Sequence, residues 1–332
     1  MDWSKSVKPA GMRLHEFGNL TDTFAATEKM PLLFVGHGNP MLAITDNVFK
    51  HGWQELGRRL PHPKAILCIS AHWLTRGTFV TMADPPRTIH DFGGFPQALY
   101  DEQYPAPGAV DYARMTIENV KRVAVHEDYD WGLDHGAWCV LKPMFPEGDI
   151  PIFQLSIDAT QPPQYHYELA RELAFLRGKG VLIVSSGNVV HNLRMMRMHG
   201  STYDWAVEFD AIVKDKLEAH DDQPLIEYQR FGRVAQLAVP TNDHYLPLMY
   251  TLGLRDASDE LSFFNDEFDL GSLSMRSVIR TADNSTNTAE NGSMRRSAAD
   301  RKDFGRSASR CGMRPSLCEN RVTATPGLTN TG

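Results

Sequence analysis

Five of the thirteen histidines in this chain stand where side chains can do chemistry. His37 follows the apolar run Leu32-Leu33-Phe34-Val35-Gly36, and His72 follows the run that starts at Ala65. A third run starts at Val181, passes through Ser185-Ser186-Gly187-Asn188 and reaches His191. If these runs are strands of an open α/β sheet, three imidazoles stand at strand carboxyl ends, where such sheets bind ligands. His135 and His244 each stand where a loop meets an apolar helical stretch, a position that borders clefts. A single histidine is more often a hydrogen-bonded packing residue. Several at strand ends in one chain point instead to a metal shell, because neutral imidazole is a common metal ligand.

The remaining histidines divide differently. His15, His51, His62, His126, His166, His199 and His220 fall on polar helix faces or loops and take the packing reading. His90 is intermediate, since it opens His90-Asp91-Phe92-Gly93-Gly94-Phe95-Pro96, a loop that could cover a flat substrate or form a tight surface turn. Other chemistries lack their residues. Gly36-His37-Gly38 has no third glycine and no Lys-Ser or Lys-Thr, so it is not a phosphate loop. Ser185-Ser186-Gly187 is not a hydrolase nucleophile elbow, and no H-E-x-x-H occurs.

The elements that must position these residues alternate short apolar runs with longer amphipathic stretches. Residues 32–35, 65–69, 150–157 and 181–184 read as strands buried on both faces. Residues 46–60 read as a helix opened by an Asp cap, with Val48, Phe49, Trp53, Leu56 and Leu60 on one face. Residues 163–176 and 203–219 read as helices in the same way. The predicted architecture is a single α/β domain over 30–280, with a central mostly parallel or mixed sheet flanked by helices and a metal site at strand carboxyl ends. Residues 1–29 read as an N-terminal extension. Residues 281–332, rich in Ser, Thr, Asn, Gly and Arg, read as a disordered tail that cannot bury enough surface to offset its ordering entropy.

Composition narrows the partners. A net charge of -7 gives no basic footprint, so neither nucleic acid nor an anionic membrane is expected. No signal-peptide core and no membrane-spanning run of apolar residues occurs. Cys68, Cys139, Cys311 and Cys318 match no zinc or redox spacing, which fits a reduced cytoplasmic compartment. Oligomeric state has no signature in the sequence.

Over 30–280 the chain resembles the class III extradiol ring-cleaving dioxygenases of the LigB type, in the bacterial DOPA 4,5-dioxygenase branch. The resemblance rests on Gly36-His37-Gly38-Asn39-Pro40, Ser70-Ala71-His72-Trp73, the His90 loop, Tyr104-Pro105-Ala106-Pro107-Gly108, the stretch from Leu133 to Trp138, Ser186-Gly187-Asn188-Val189-Val190-His191-Asn192-Leu193 and His244-Tyr245-Leu246-Pro247-Leu248. Gly271-Ser272-Leu273-Ser274-Met275 resembles the family's last strand. The resemblance implies that His37, His72 and His244 hold a metal, with His191 as a base or fourth ligand and His135 lining the substrate pocket. Asp243 could supply a carboxylate instead, but His244 alone is preferred. The implied reaction inserts both atoms of O2 into a catechol, L-DOPA or a relative. Such a reaction needs Fe(II), because zinc cannot carry electrons between triplet O2 and a closed-shell substrate. The competing reading is a zinc-binding protein of the same fold, hydrolytic or without activity.

Overall fold

The structure is a computed structural model that describes residues 29–198 and 201–282. The predicted extension and tail fall almost wholly outside the described residues, as do His15 and His199. Six strands form the central sheet: β1 Leu32–Gly36, β2 Ala65–Ser70, β3 Ile152–Gln154, β4 Val181–Gly187, β5 Asp259–Phe264 and β6 Ser277–Ala282. Their order across the sheet is β3-β2-β4-β1-β6-β5. The first four are parallel, and β6 and β5 are added antiparallel at one side. The sheet is thus mixed and mostly parallel, as predicted.

Helices cover both faces, which explains the continuous apolar runs. Leu33, Val35, Ile66, Cys68, Leu182 and Val184 point to one face, where Trp53 of α1 (Val48–Arg59) and Trp138 and Leu141 of α3 (His135–Met144) bury them. Leu32, Phe34, Ala65, Leu67, Ile69, Val181 and Ile183 point to the other, against Leu169 of α4 (Pro163–Glu172), Phe209 of α5 (Asp204–Glu218) and Leu248 of α6 (Leu246–Gly253). Helix α2 (Val110–Asn119) contributes Ala113 and Met115 to this second core. Full burial of each such side chain stabilises the fold by about 1.5–3 kcal/mol before entropy is counted. Among the described residues no helix is long and apolar enough to cross a membrane.

Several boundaries differ from the sequence reading. The run over 150–157 is divided. Strand β3 stops at Gln154, and Ile157–Asp158 pairs instead with Leu74–Thr75. Buried Ser156 accepts from the Phe79 N–H at 2.8 Å and from Thr75 Oγ1, also at 2.8 Å, which draws the chain out of the main sheet. The cap of α1 is Asn47, whose side chain accepts from the Lys50 N–H at 2.8 Å, while Asp46 turns to His51 and Val48 is solvent-facing. Helix α4 ends at Glu172 and a 3-10 turn, Ala174–Lys179, completes the stretch. The last described strand is β6, whereas 271–275 contains only the two-residue strand Leu273–Ser274. His166 is not on a polar face: it is fully buried, with Nδ1 3.0 Å from the Tyr250 hydroxyl.

The register is what matters for the site. Gly36 lies opposite Gly187, and Ser70 lies opposite Ser186. Strands β1, β2 and β4 therefore end level, and the residues after them emerge at one edge.

Candidate active site

Just past that edge, His37, His72 and His244 converge. One ring nitrogen from each lies within 4.8 Å of the others, so the three could hold a metal ion. His37 is anchored where β1 leaves the sheet, its N–H donating to the Gly187 carbonyl at 3.2 Å. Its Nδ1 lies 3.0 Å from Ser186 Oγ, and that hydroxyl gives its only proton to the Gly136 carbonyl at 2.5 Å. Ser186 must therefore accept from His37 Nδ1–H, which leaves the Nε2 lone pair free. His72 Nδ1 lies 3.2 Å from Asp91 Oδ2, and His244 Nδ1 lies 3.2 Å from Asp243 Oδ2. The angle at His244 is too poor for a hydrogen bond, so that contact is an electrostatic one. Each imidazole thus turns Nδ1 to an oxygen, the outer-shell pattern that fixes the tautomer of metal-binding histidines.

The donor set fits a divalent ion. His37 Nε2 and His72 Nε2 are 3.1 Å apart. Two nitrogens each about 2.1 Å from one ion, at octahedral or tetrahedral angles, would be about 3.0–3.4 Å apart. Two lone pairs facing each other at that distance repel unless a cation lies between them. Gly187 makes the convergence possible, because a Cβ there would sit 2.3 Å from the His244 carbonyl oxygen. That carbonyl accepts from the Asn188 N–H at 2.8 Å and so holds the His244 loop against β4.

Two further histidines flank the three. His135 is the first residue of α3, whose cap Asp134 accepts from the Ala137 N–H. Asp134 is fully buried and also accepts from Ser70 Oγ at 2.5 Å, tying the end of β2 to α3. His135 Nδ1 lies 3.0 Å from Asp91 Oδ2, and the His135 backbone N–H donates to Asp91 Oδ1 at 2.8 Å. Asp91 therefore bridges His72 and His135, whose ring centroids are 3.8 Å apart. His191 is placed differently: its ring stacks parallel on His244, 3.5 Å away at 6°. It lies outside the converging group, with its backbone N–H bonded to the Ala238 carbonyl at 2.8 Å.

Burial and crowding keep most of these rings neutral. Burial, then the neighbouring histidines, holds His37 well below the ordinary range. Burial, opposed by Asp243, brings His244 down to about 4. Burial and then His244 bring His191 down to about 2. His135 is lowered by burial in spite of Asp91. At His72 burial also acts downward, but the bond to Asp91 and the charge of Asp134 outweigh it and the net shift is upward. Burial would raise the Asp91 carboxyl, yet its close contacts with His135 and His72 hold it far below the usual carboxylate range. Asp91 is thus an ionised carboxylate in electrostatic contact with two rings.

The histidines form the floor of a cavity of about 300 Å³. Phe92, Phe95, Pro40, Leu193, Met196, Leu270 and Leu273 line most of the rest, with Gly38, Asn39 and Asp91 beside them. All five sequence-singled histidines border this cavity, and His90 does not: its Nε2 lies 2.9 Å from the Glu102 carbonyl oxygen and its ring packs on Trp138. Phe92 and Phe95 of the His90 loop are in the lining, in edge-to-face contact at 5.3 Å. The sequence reading missed Asp91 and Ser186 as partners of the rings, and Asp134 as the tie between β2 and α3. Asp91 stood in a quoted loop, and the need of each imidazole for an acceptor was the signal that could have singled it out.

Comparisons with known proteins agree with this geometry. The family described as the catalytic LigB subunit of aromatic ring-opening dioxygenase matches residues 31–270. A protein of Escherichia coli (strain K12) named 4,5-DOPA dioxygenase extradiol is 47% identical over 263 residues, 77% of this chain and 97% of that protein. A protein of Beta vulgaris with the same name is 34% identical over 259 residues, 75% of this chain and 96% of that protein. A crystal structure of an uncharacterized protein from Escherichia coli K12 superposes with a TM-score of 0.67 at 43% identity, covering 75% of this chain and 99% of that one. With the family spanning five of the six strands of the central sheet and every histidine of the cluster, this chain belongs to the LigB family of aromatic ring-opening dioxygenases, the class III extradiol oxidoreductases.

Proposed function

We propose that the protein opens the ring of a catechol, L-DOPA or a relative, with O2, at an Fe(II) ion held by His37, His72 and His244. The observation that carries this reading is the convergence of three imidazoles, each with Nδ1 turned to an oxygen, on the floor of a largely apolar cavity. Bound Fe(II) would supply the one-electron chemistry that lets triplet O2 react with a closed-shell aromatic. Three neutral ligands add no charge to a divalent ion, so the site favours a dianionic catecholate.

Forming that dianion requires two protons to leave. His191, neutral and beside the cluster, is the base for one of them. Its low intrinsic proton affinity rises when an anion binds next to it, so it holds a proton while substrate is bound and can return it when the ring opens. His135 contacts Asp91 through Nδ1, so in the neutral form its Nε2 accepts. Once it takes a proton, Asp91 steadies the imidazolium and Nε2 becomes a donor toward substrate or oxygen. Phe92 and Phe95 exclude water from the ring face and hold it flat.

The test is to strip metal from the protein, restore Fe(II) without air, then add L-DOPA and oxygen. Oxygen uptake with a new visible absorbance is expected. Absence of uptake with L-DOPA, dopamine, 4-methylcatechol and protocatechuate alike sinks the reading.

A further inference from the structure

Among the described residues that line the cavity, Asn39 is the one polar side chain apart from the histidines and Asp91, and there is no lysine, arginine, serine, threonine or tyrosine. Its backbone is held from both sides. Gly38 turns the chain at φ 58 and gives its N–H to Asn188 Oδ1 at 3.3 Å, and a Cβ at Gly38 would sit 2.5 Å from Met275 Sδ. On the other side Pro40 keeps Asn39 extended, at φ -78 and ψ 132. The carboxamide is fixed as well, because Asn39 Oδ1 accepts from the Met41 N–H at 2.9 Å. Only the oxygen can accept there, so Nδ2 occupies the other branch, and it has no partner among the described residues.

The donors around Asn39 are already engaged. The Gly38 and Met41 N–H groups bond as above, and the Leu42 N–H bonds to the Asn39 carbonyl at 2.9 Å. Nδ1 of His37, His72, His135 and His244 each faces an oxygen of the protein. Asp91 has the sign that suits an ammonium group and cannot donate to a carboxylate. A carboxylate on the catechol's substituent gives up part of its water on entering, and it needs a donor in exchange. An amide N–H to a carboxylate is a charge-assisted bond, stronger than one between neutral groups, and a donor fixed in advance loses no freedom when the substrate arrives. Resting on the ring cleavage proposed above, we propose that Asn39 is a specificity-determining residue, whose Nδ2 donates to a carboxylate carried on the substituent of the catechol.

The probes are L-DOPA and dopamine, which differ only in the carboxylate, with 4-methylcatechol as the uncharged control. Binding is measured by calorimetry on the full chain loaded with redox-inert Zn(II), and kcat and KM on the Fe(II) protein. Asn39→Asp and Asn39→Ser both keep an oxygen that can accept from the Met41 N–H. The first replaces the donor by an acceptor, and the second is neutral but withdraws the donor from the substituent. The affinity ratio of L-DOPA to dopamine is expected to fall by about tenfold or more in Asn39→Asp and by about fivefold in Asn39→Ser, with 4-methylcatechol binding and metal content held within about twofold. The loss should enter through KM for L-DOPA, with kcat little changed. A ratio that Asn39→Ser leaves unchanged overturns the proposal, since a fall in Asn39→Asp alone reports only the added charge. Equal loss for all three ligands also overturns it, because that is the result of a purely structural role. Failure of ring cleavage by the unaltered Fe(II) protein with every probe overturns the catalytic reading instead, and the binding ratio still decides the role of Asn39.

Discussion

The two histidine pairs that share a ring with the candidate metal site are built on opposite principles. His72 and His135 share the carboxylate of Asp91, with Nδ1 contacts of 3.2 and 3.0 Å. His244 and His191 share only a face, stacked at 3.5 Å, and Asp243 reaches His244 alone. The first pair has an anion to balance a proton, and His72 is shifted up, although burial still holds His135 down. In the second pair one protonated ring would repel the other, and His191 falls to about 2 through burial and that repulsion. Close packing of imidazoles thus goes with opposite shifts at His72 and His191, and the nearby carboxylates, Asp91 first, make the difference.

The largest effect should come from separating ligand from neighbour. His37→Ala, His72→Ala and His244→Ala should each lose bound metal and reduce turnover to background, whereas His191→Ala should keep the metal and lose about 10²–10⁴-fold in kcat. Metal analysis beside kinetics checks this, and equal metal content in all four variants would refute the division of roles. Next in size is Asp91→Asn, which keeps the shape of the bridge but removes its charge. A loss of about 10–100-fold in metal affinity or activity is expected, with the acid limb of the pH profile displaced. An unchanged profile breaks the contrast between the pairs.

Gly187→Ala tests the second pair through the backbone, since the added methyl would meet the His244 carbonyl at 2.3 Å. Stability should fall by about 1–3 kcal/mol, read by urea unfolding, and metal should bind more weakly. Wild-type affinity in that variant would mean His244 is not held by its close approach to β4.

The smallest effect is on stability against pH in metal-free protein. Unfolded histidines take up protons near pH 6.5. In the folded protein His244 does so only near 4 and His191 near 2, and His37 is also depressed. The unfolded chain therefore binds more protons in that window, so stability is present above about pH 6.5 and is lost as pH falls toward 4. His72 acts in the opposite sense, its contribution being present below about pH 6.5 and lost as pH rises through its folded value. With His135 also depressed, the lowered rings outweigh the one raised, so Tm should fall between pH 7 and 5, and His191→Ala should flatten the fall. A Tm that rises on acidification contradicts the balance.

How much of this was legible before folding varies by residue. The apolar runs of β1, β2 and β4 announced strands, and the histidines after them were legible as edge residues because strand direction and sheet topology are coarse constraints. The break in the run over 150–157 was not legible, since it depends on Ser156 meeting Phe79 and Thr75 from another part of the chain. Helix α1 was legible but its cap was not, because adjacent Asp46 and Asn47 are equivalent until the backbone turns one of them toward Lys50.

By itself the sequence singled out five histidines and placed three of them at one edge of a mostly parallel sheet, because hydrophobic periodicity is local and strand ends follow from it. Only the tertiary structure decided that His37, His72 and His244 converge while His191 stacks beside them, that Asp91 bridges two rings, and that apolar side chains line the way out. Those outcomes rest on ångström-scale meetings between segments far apart in the chain, such as Asp91 with His135 and Gly187 with His244, and no local pattern encodes a distance between segments.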